Sequence, residues 1–231
     1  MIPQTHDNLS LCRAFISSNF VRPQDQEPRR ALAVAISREP YAGGHDMCQE
    51  LLKLLHGDAK LGADPWALFD RDLVAKILED HGLPSSLSAY MPEDKPKELR
   101  GVINEIVGVH PPLWDLFQHT CDSMLRLAKI GNVILIGRGA HIVTRELPHV
   151  LRVRVVAPFE FRLERAAEGM GISFEEAEKF LRREDRAKAA FVRSHFCEEL
   201  DDPLAYHLTL NTGKLSLAQG ARLLYTALKR L

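Results

Sequence analysis

Long apolar runs are missing from this chain of 231 residues. The longest aliphatic stretches, residues 31–36 and 133–136, fall far short of the roughly 20 residues a bilayer-spanning helix needs, so no spanning helix and no membrane partner is expected. Residues 9–21 are moderately apolar but contain Arg13, with no basic segment before them and no small-residue cleavage site. That is not the pattern of a secretory signal, and a cytoplasmic location is the expectation. Charge of one sign is missing as well. Thirty Lys and Arg against 31 Asp and Glu leave a formal −1, so no global field draws the chain to a nucleic acid polymer, and any anion site must be local. Cysteine is scarce, and Cys12, Cys48, Cys121 and Cys197 form no CxxC pair. They read as isolated buried thiols rather than a zinc or redox motif. The histidines fall into no HExxH or HxH spacing, and His45, Asp46 and Cys48 make only a loose cluster, so a metal held by protein ligands alone is not expected.

What is present is ordinary globular composition, 45% hydrophobic and 26% charged, with enough apolar material for one sizeable core. Residues 22–30 have the composition of a linker, which sets 1–30 apart as an N-terminal extension and starts the ordered domain, 31–231, at Ala31. From there short apolar runs alternate with helical periodicity. Strands are expected at 31–37, 66–69, 133–136, 151–157 and 206–211. Helices are expected after Gly44, over 72–78, 97–107 and 113–128, over 158–168 with Pro158 in its first turn, and over 173–196 and 216–229. The last two open on capping boxes, Ser173 with Glu176 and Ser216 with Gln219. Strands that are apolar throughout suit burial on both faces. The alternation therefore predicts an α/β fold, a five-stranded parallel sheet flanked by helices, with ligands at the carboxyl ends of the strands.

Four segments carry candidate chemistry, three of them on that rim. The first strand runs through Ile36-Ser37-Arg38-Glu39-Pro40-Tyr41 into Ala42-Gly43-Gly44-His45-Asp46 and a helix. This is the setting of a phosphate-binding loop, where small residues let backbone N–H groups approach an anion at a helix N-terminus. The letters depart from GxxxxGK[ST], since Glu39 replaces the first glycine, His45 the lysine and Asp46 the hydroxyl residue. Gly137-Arg138-Gly139 ends the third run, where a guanidinium between two glycines suits bidentate phosphate recognition. Asp70 and Arg71, at the end of the second run, share this rim. Finally, Arg182, Arg186 and Arg193 fall within about 40° of one another on a helix of about 3.6 residues per turn. They form either a solvated face or a stripe that closes on phosphate.

In that order, with Asp185-Arg186-Ala187-Lys188-Ala189-Ala190 and Leu210-Asn211-Thr212, these segments resemble the cytidylate kinase-like family, over nearly everything from Ala33 onward. The resemblance implies a P-loop nucleoside monophosphate kinase fold with a helical NMP-binding insertion at about 72–127 and a LID at about 173–196. It implies transfer of the γ-phosphoryl of ATP to CMP or dCMP, with Mg²⁺ accompanying ATP, so that ATP and a nucleoside monophosphate are the partners. Carried over by position, Ser37, Arg38, Ala42, Gly43, Gly44, His45 and Asp46 form the phosphate loop, with Asp46 able to reach the magnesium. Asp70, Arg71 and Arg138 hold the acceptor. Arg182, Arg186 and Lys188 belong to the LID, and Asp185, Arg186 and Arg193 assist transfer. His45-Asp46 stands where the family commonly has Arg-Glu, which leaves open an alternative, a kinase-fold protein that binds nucleotide as a sensor or interaction module without transfer.

Overall fold

The structure is a computed structural model that describes residues 32–61, 65–70, 112–137 and 139–231, and the side chains of all of these but 112–119. In chain order the elements are β1 (Ala33–Arg38), α1 (Gly44–His56), β2 (Ala67–Phe69), α2 (Pro112–Ile130), β3 (Val133–Ile136) and α3 (Ala140–Val143). They continue with β4 (Val150–Val156), α4 (Phe159–Met170), α5 (Phe174–Phe196), a 3-10 turn (Pro203–Ala205), β5 (Leu208–Asn211) and α6 (Leu217–Leu228). The strands form one parallel sheet in the order β2-β3-β1-β4-β5.

The register explains the composition of β1. Ala33 pairs with Val133 on one side and Val150 on the other, and Ile36 with Ile136 and Val153. Successive side chains of a strand point to opposite faces, so Val34 and Ile36 join Leu68, Ile134, Val153 and Val155 on one face. That face is covered by Met47, Leu51 and Leu55 of α1 and by Ala221, Leu224 and Leu228 of α6. Ala33 and Ala35 join Phe69, Val133 and Leu135 on the other, under Met124, Leu127 and Ala128 of α2. The small residues of the central strand leave room on this face for the short helix α3, while α2 lies over β3. With both faces covered, the sheet offers open rims only at its strand ends. β1 lies between β3 and β4, where the strand order reverses, and ligands of such sheets bind in the crevice at that point.

The fold class agrees with the sequence reading, and the differences are local. Pro158 is the cap residue of α4 rather than part of its first turn, in extended backbone with its carbonyl accepting the Arg162 N–H at 3.1 Å. β5 starts at Leu208, because the 3-10 turn precedes it and Tyr206 is buried with its hydroxyl on the Leu200 carbonyl, 2.8 Å. α3 was not anticipated, since four residues are too few to show a period; it opens on Gly139 at φ 72°. Cys48 is buried as expected, whereas Cys197 is exposed, ending α5 in the left-handed region at φ 57°. The helices expected at 72–78 and 97–107 lie outside the described residues. So does most of the span 72–127, whose described end belongs to α2.

Candidate functional site

β1 leads into a loop that is held from three sides. The Glu39 N–H donates to the Val155 carbonyl, 3.0 Å, and the Glu39 carboxylate accepts the Ala157 N–H, 2.9 Å. The Thr212 hydroxyl, just beyond β5, donates to the Ala42 carbonyl at 2.6 Å. Tyr41 sits in the left-handed region at φ 58°, a conformation that costs about 1–3 kcal/mol for a residue other than glycine. Its ring is held edge-on to Phe180 of α5, centroids 6.1 Å apart. Gly43 caps α1 at φ 74°, and a Cβ there would stand 2.8 Å from Leu217. No side chain caps α1, so its first N–H groups remain available to an anion.

The loop forms the floor of an open cleft of about 530 Å³ lined by Arg38, Glu39, Gly43, Gly44, His45 and Asp46, with Arg165 and Glu168 of α4 as a wall. Each acid nearest the turn is matched. Asp46 pairs with Arg165 at 3.0 Å. Glu39 lies 3.3 Å from Nε of Arg162, whose terminal nitrogens make a bidentate pair with Asp185 at 3.0 Å. Arg162 is buried, so removing it would strand two carboxylates, a cost of order 3–5 kcal/mol for a fully buried pair and less here because Asp185 keeps a third of its surface in water. The acidic loop residue thus ties the phosphate loop, α4 and α5 into one unit. Sequence reasoning missed Arg162 and Arg165. A glutamate in a turn of small residues signals that some cation must answer it, but not which one.

A smaller hollow opens on the other side of β1, lined by Ser37, Arg38, Gly137, Gly139, Lys188, Phe191, Val192 and Leu200. Ser37 is buried and accepts from Arg154, 2.9 Å, while the other end of that guanidinium reaches Asp201, 2.7 Å. Beside it His141 is buried, stacked on Tyr206 with its Nε2 3.0 Å from the hydroxyl. Burial, with Arg154 and Arg152 adding repulsion, brings the imidazole pKa down to about 4. Gly139 cannot carry a side chain, because the Phe196 ring fills the space.

The remaining sequence-predicted residues divide clearly. His45 lines the cleft with Nε2 3.1 Å from Gln49 and Nδ1 3.7 Å from Asp70, which brings the phosphate turn and the end of β2 together. Lys188 reaches the hollow. Arg182 pairs with Glu178 and stacks over Phe159, Arg186 donates to the Arg182 carbonyl, and Arg193 makes a bidentate pair with Glu199. None of these three lines the cleft or the hollow. Glu199 holds the Arg193 pKa above its ordinary value and is itself held low. Asp185 faces Arg162 rather than the cleft. Arg71 and Arg138 lie outside the described residues. Burial raises the Cys48 thiol to about 12, which makes it inert as a nucleophile.

Among solved structures, an uncharacterized protein from Eubacterium ventriosum is 12% identical over 87% of this chain and 99% of that one, at a TM-score of 0.63, and it shares the fold. Shikimate kinases from Acinetobacter baumannii, in complex with shikimate, and from Bacteroides thetaiotaomicron align at TM-scores of 0.46 and 0.49. They are 17% and 12% identical, over 87% and 86% of this chain and 94% and 98% of theirs, scores too low to bear on function. No curated protein matches the sequence. The sequence model of one family does match, over residues 33–214, which span β1 to the turn after β5. The chain belongs to the cytidylate kinase-like family.

Proposed function

We propose that the protein transfers the γ-phosphoryl group of ATP to a pyrimidine nucleoside monophosphate, CMP or dCMP, giving the diphosphate. The observation that carries this reading is the uncapped N-terminus of α1 opening onto a cleft at the sheet's switch point. Phosphoryl transfer needs positioning and charge neutralisation more than covalent chemistry. The backbone of Gly43, Gly44 and His45 surrounds the donor phosphates, with Ser37 and Ala42 behind them and Arg38 lining the cleft. Asp70, Arg71 and Arg138 hold the acceptor. The α5 residues Arg182, Arg186, Lys188 and Arg193 close over the phosphates while Asp185 anchors the helix on Arg162, with Arg182 and Arg193 exchanging the exposed acids Glu178 and Glu199 for ligand.

Among the described residues, magnesium fits this arrangement in one way. Among the described residues no group of three or more His, Cys, Asp or Glu could hold a metal. The half-exposed Asp46 carboxylate offers a single hard oxygen donor at the head of α1, and a magnesium ion bound to ATP would complete its shell with phosphate oxygens and water. When bound it would neutralise phosphate charge. Asp46 would hold it once Arg165 is released.

Melting temperatures across a panel of nucleoside mono- and triphosphates, with and without Mg²⁺, test the reading. ATP with Mg²⁺ and CMP should each raise the midpoint, and the absence of any shift would overturn it. The second reading, nucleotide binding without transfer, is favoured by His45 at the lysine position with its ring shared between Gln49 and Asp70. It predicts the ATP shift with no turnover.

A further inference from the structure

We infer that Arg38 supplies the cation that the phosphate loop lacks at His45, its guanidinium contacting the terminal phosphoryl group of a bound triphosphate between the loop and the turn after β3. The inference rests on the reading of the cleft as a phosphate site and assigns a residue within it.

Three observations converge on this side chain. The first is its path. A Cβ on Gly44, the first residue of α1, would stand 3.0 Å from Cβ and 3.1 Å from Cδ of Arg38, and a Cβ on Gly137 would stand 3.0 Å from its Nη1. The stem therefore runs along the head of α1 and the guanidinium ends against the turn after β3. Gly44 and Gly137, one in each turn, clear the way for one arginine. The second is its outlook, since Arg38 lines both the phosphate cleft and the hollow toward Gly139 and Lys188.

The third is its lack of a counter-charge. Arg165 is paired with Asp46, Arg162 with Glu39 and Asp185, and Arg154 with Ser37 and Asp201. Among the described residues, nothing accepts a hydrogen bond from the Arg38 guanidinium and no carboxylate pairs with it, although the residue is half-buried. A partly desolvated cation with no partner is unfavourable unless an anion completes it. His45 is not equivalent, because Asp70 and Gln49 already engage its ring. A guanidinium also offers the planar fork that grips two phosphate oxygens at once, which a loop lysine would meet as a point charge.

The test is the ratio of ATP to ADP affinity, measured by calorimetry with Mg²⁺ on the full chain, for wild type, Arg38→Gln and Arg38→Lys, with melting temperatures alongside. Pyrophosphate and tripolyphosphate serve as base-free probes of the same ratio. Arg38→Gln should weaken ATP by about 10- to 100-fold, the scale of a lost charge-assisted contact, while ADP changes little. Arg38→Lys should recover part of the loss. Equal weakening of ATP and ADP, or no weakening of either, would overturn the inference. Should the glutamine variant fail to fold, the lysine variant decides, since it keeps the stem over Gly44. An ATP-to-ADP ratio equal to wild type in Arg38→Lys would then overturn the assignment. If ATP affinity depends on Arg38 but no monophosphate is phosphorylated, the kinase reading falls and this inference stands. Turnover with a ratio indifferent to Arg38 would do the reverse, and a wild type that binds no polyphosphate would defeat both.

Discussion

At the scale of single residues, the chemistry of the molecule is set by how charges are matched inside it. Glu39, Asp46 and Asp185 were all legible as acids in interesting places, and the structure answers them with Arg162 and Arg165 of one helix. Nothing in the sequence distinguishes those two arginines from solvated charges on an amphipathic helix, because their partners are 23 to 123 residues away and are set by tertiary packing. His141 shows the same limit. It lies in a helix too short to read, yet it is buried beside Tyr206 with its pKa brought down to about 4. The unfolded chain therefore binds more protons than the folded one between the two pKa values. Stability should be at its full value above about pH 6.5 and fall as pH drops toward 4. From this group alone the loss between pH 7.5 and pH 5 is about 2 kcal/mol. Denaturant midpoints at these two values should show a smaller drop for His141→Gln than for wild type, and parallel drops would mean the imidazole does not titrate with folding.

At the scale of elements, helix α5 carries the clearest sequence signals and the least obvious outcome. Its capping box was legible, and Ser173 and Glu176 reciprocate as the spacing requires. The arginine stripe was legible too, but the angular argument could not tell what each arginine would meet. Arg182 and Arg193 meet exposed acids, Glu178 and Glu199, in surface pairs that water and salt screen. Such pairs exchange cheaply for phosphate, whereas the Arg162–Asp185 pair at the middle of the helix is half-buried and stays. α5 is thus anchored near its middle and uncommitted along its arginine face. Among the described residues, the hydrogen bond that Arg186→Ala breaks is the one to the Arg182 carbonyl. It should leave the melting temperature unchanged and, if α5 closes over the reacting phosphates, reduce turnover by about 10³-fold. Turnover equal to wild type would assign the stripe to solvent.

At the scale of the whole molecule, the five strands could be read from the sequence because a parallel sheet buried on both faces writes itself as short apolar runs. The pairing of Ala33 and Ala35 toward one layer and Val34 and Ile36 toward the other follows from a period of two. The strand order then fixes where the carboxyl ends of β1, β3 and β4 meet. The site was legible in part, through the glycines of two turns at that meeting point. The path of Arg38 between those turns, and the departure of His45 toward Asp70, depend on side-chain packing that no local pattern encodes. The central claim, that this loop serves phosphoryl transfer despite its altered letters, is tested most directly by following ADP formation from ATP and Mg²⁺ as CMP is added to the full chain. The account predicts ADP production that requires CMP, saturates with it and is matched mole for mole by CDP. ADP production independent of CMP, or none at all under conditions where ATP binds, would contradict it.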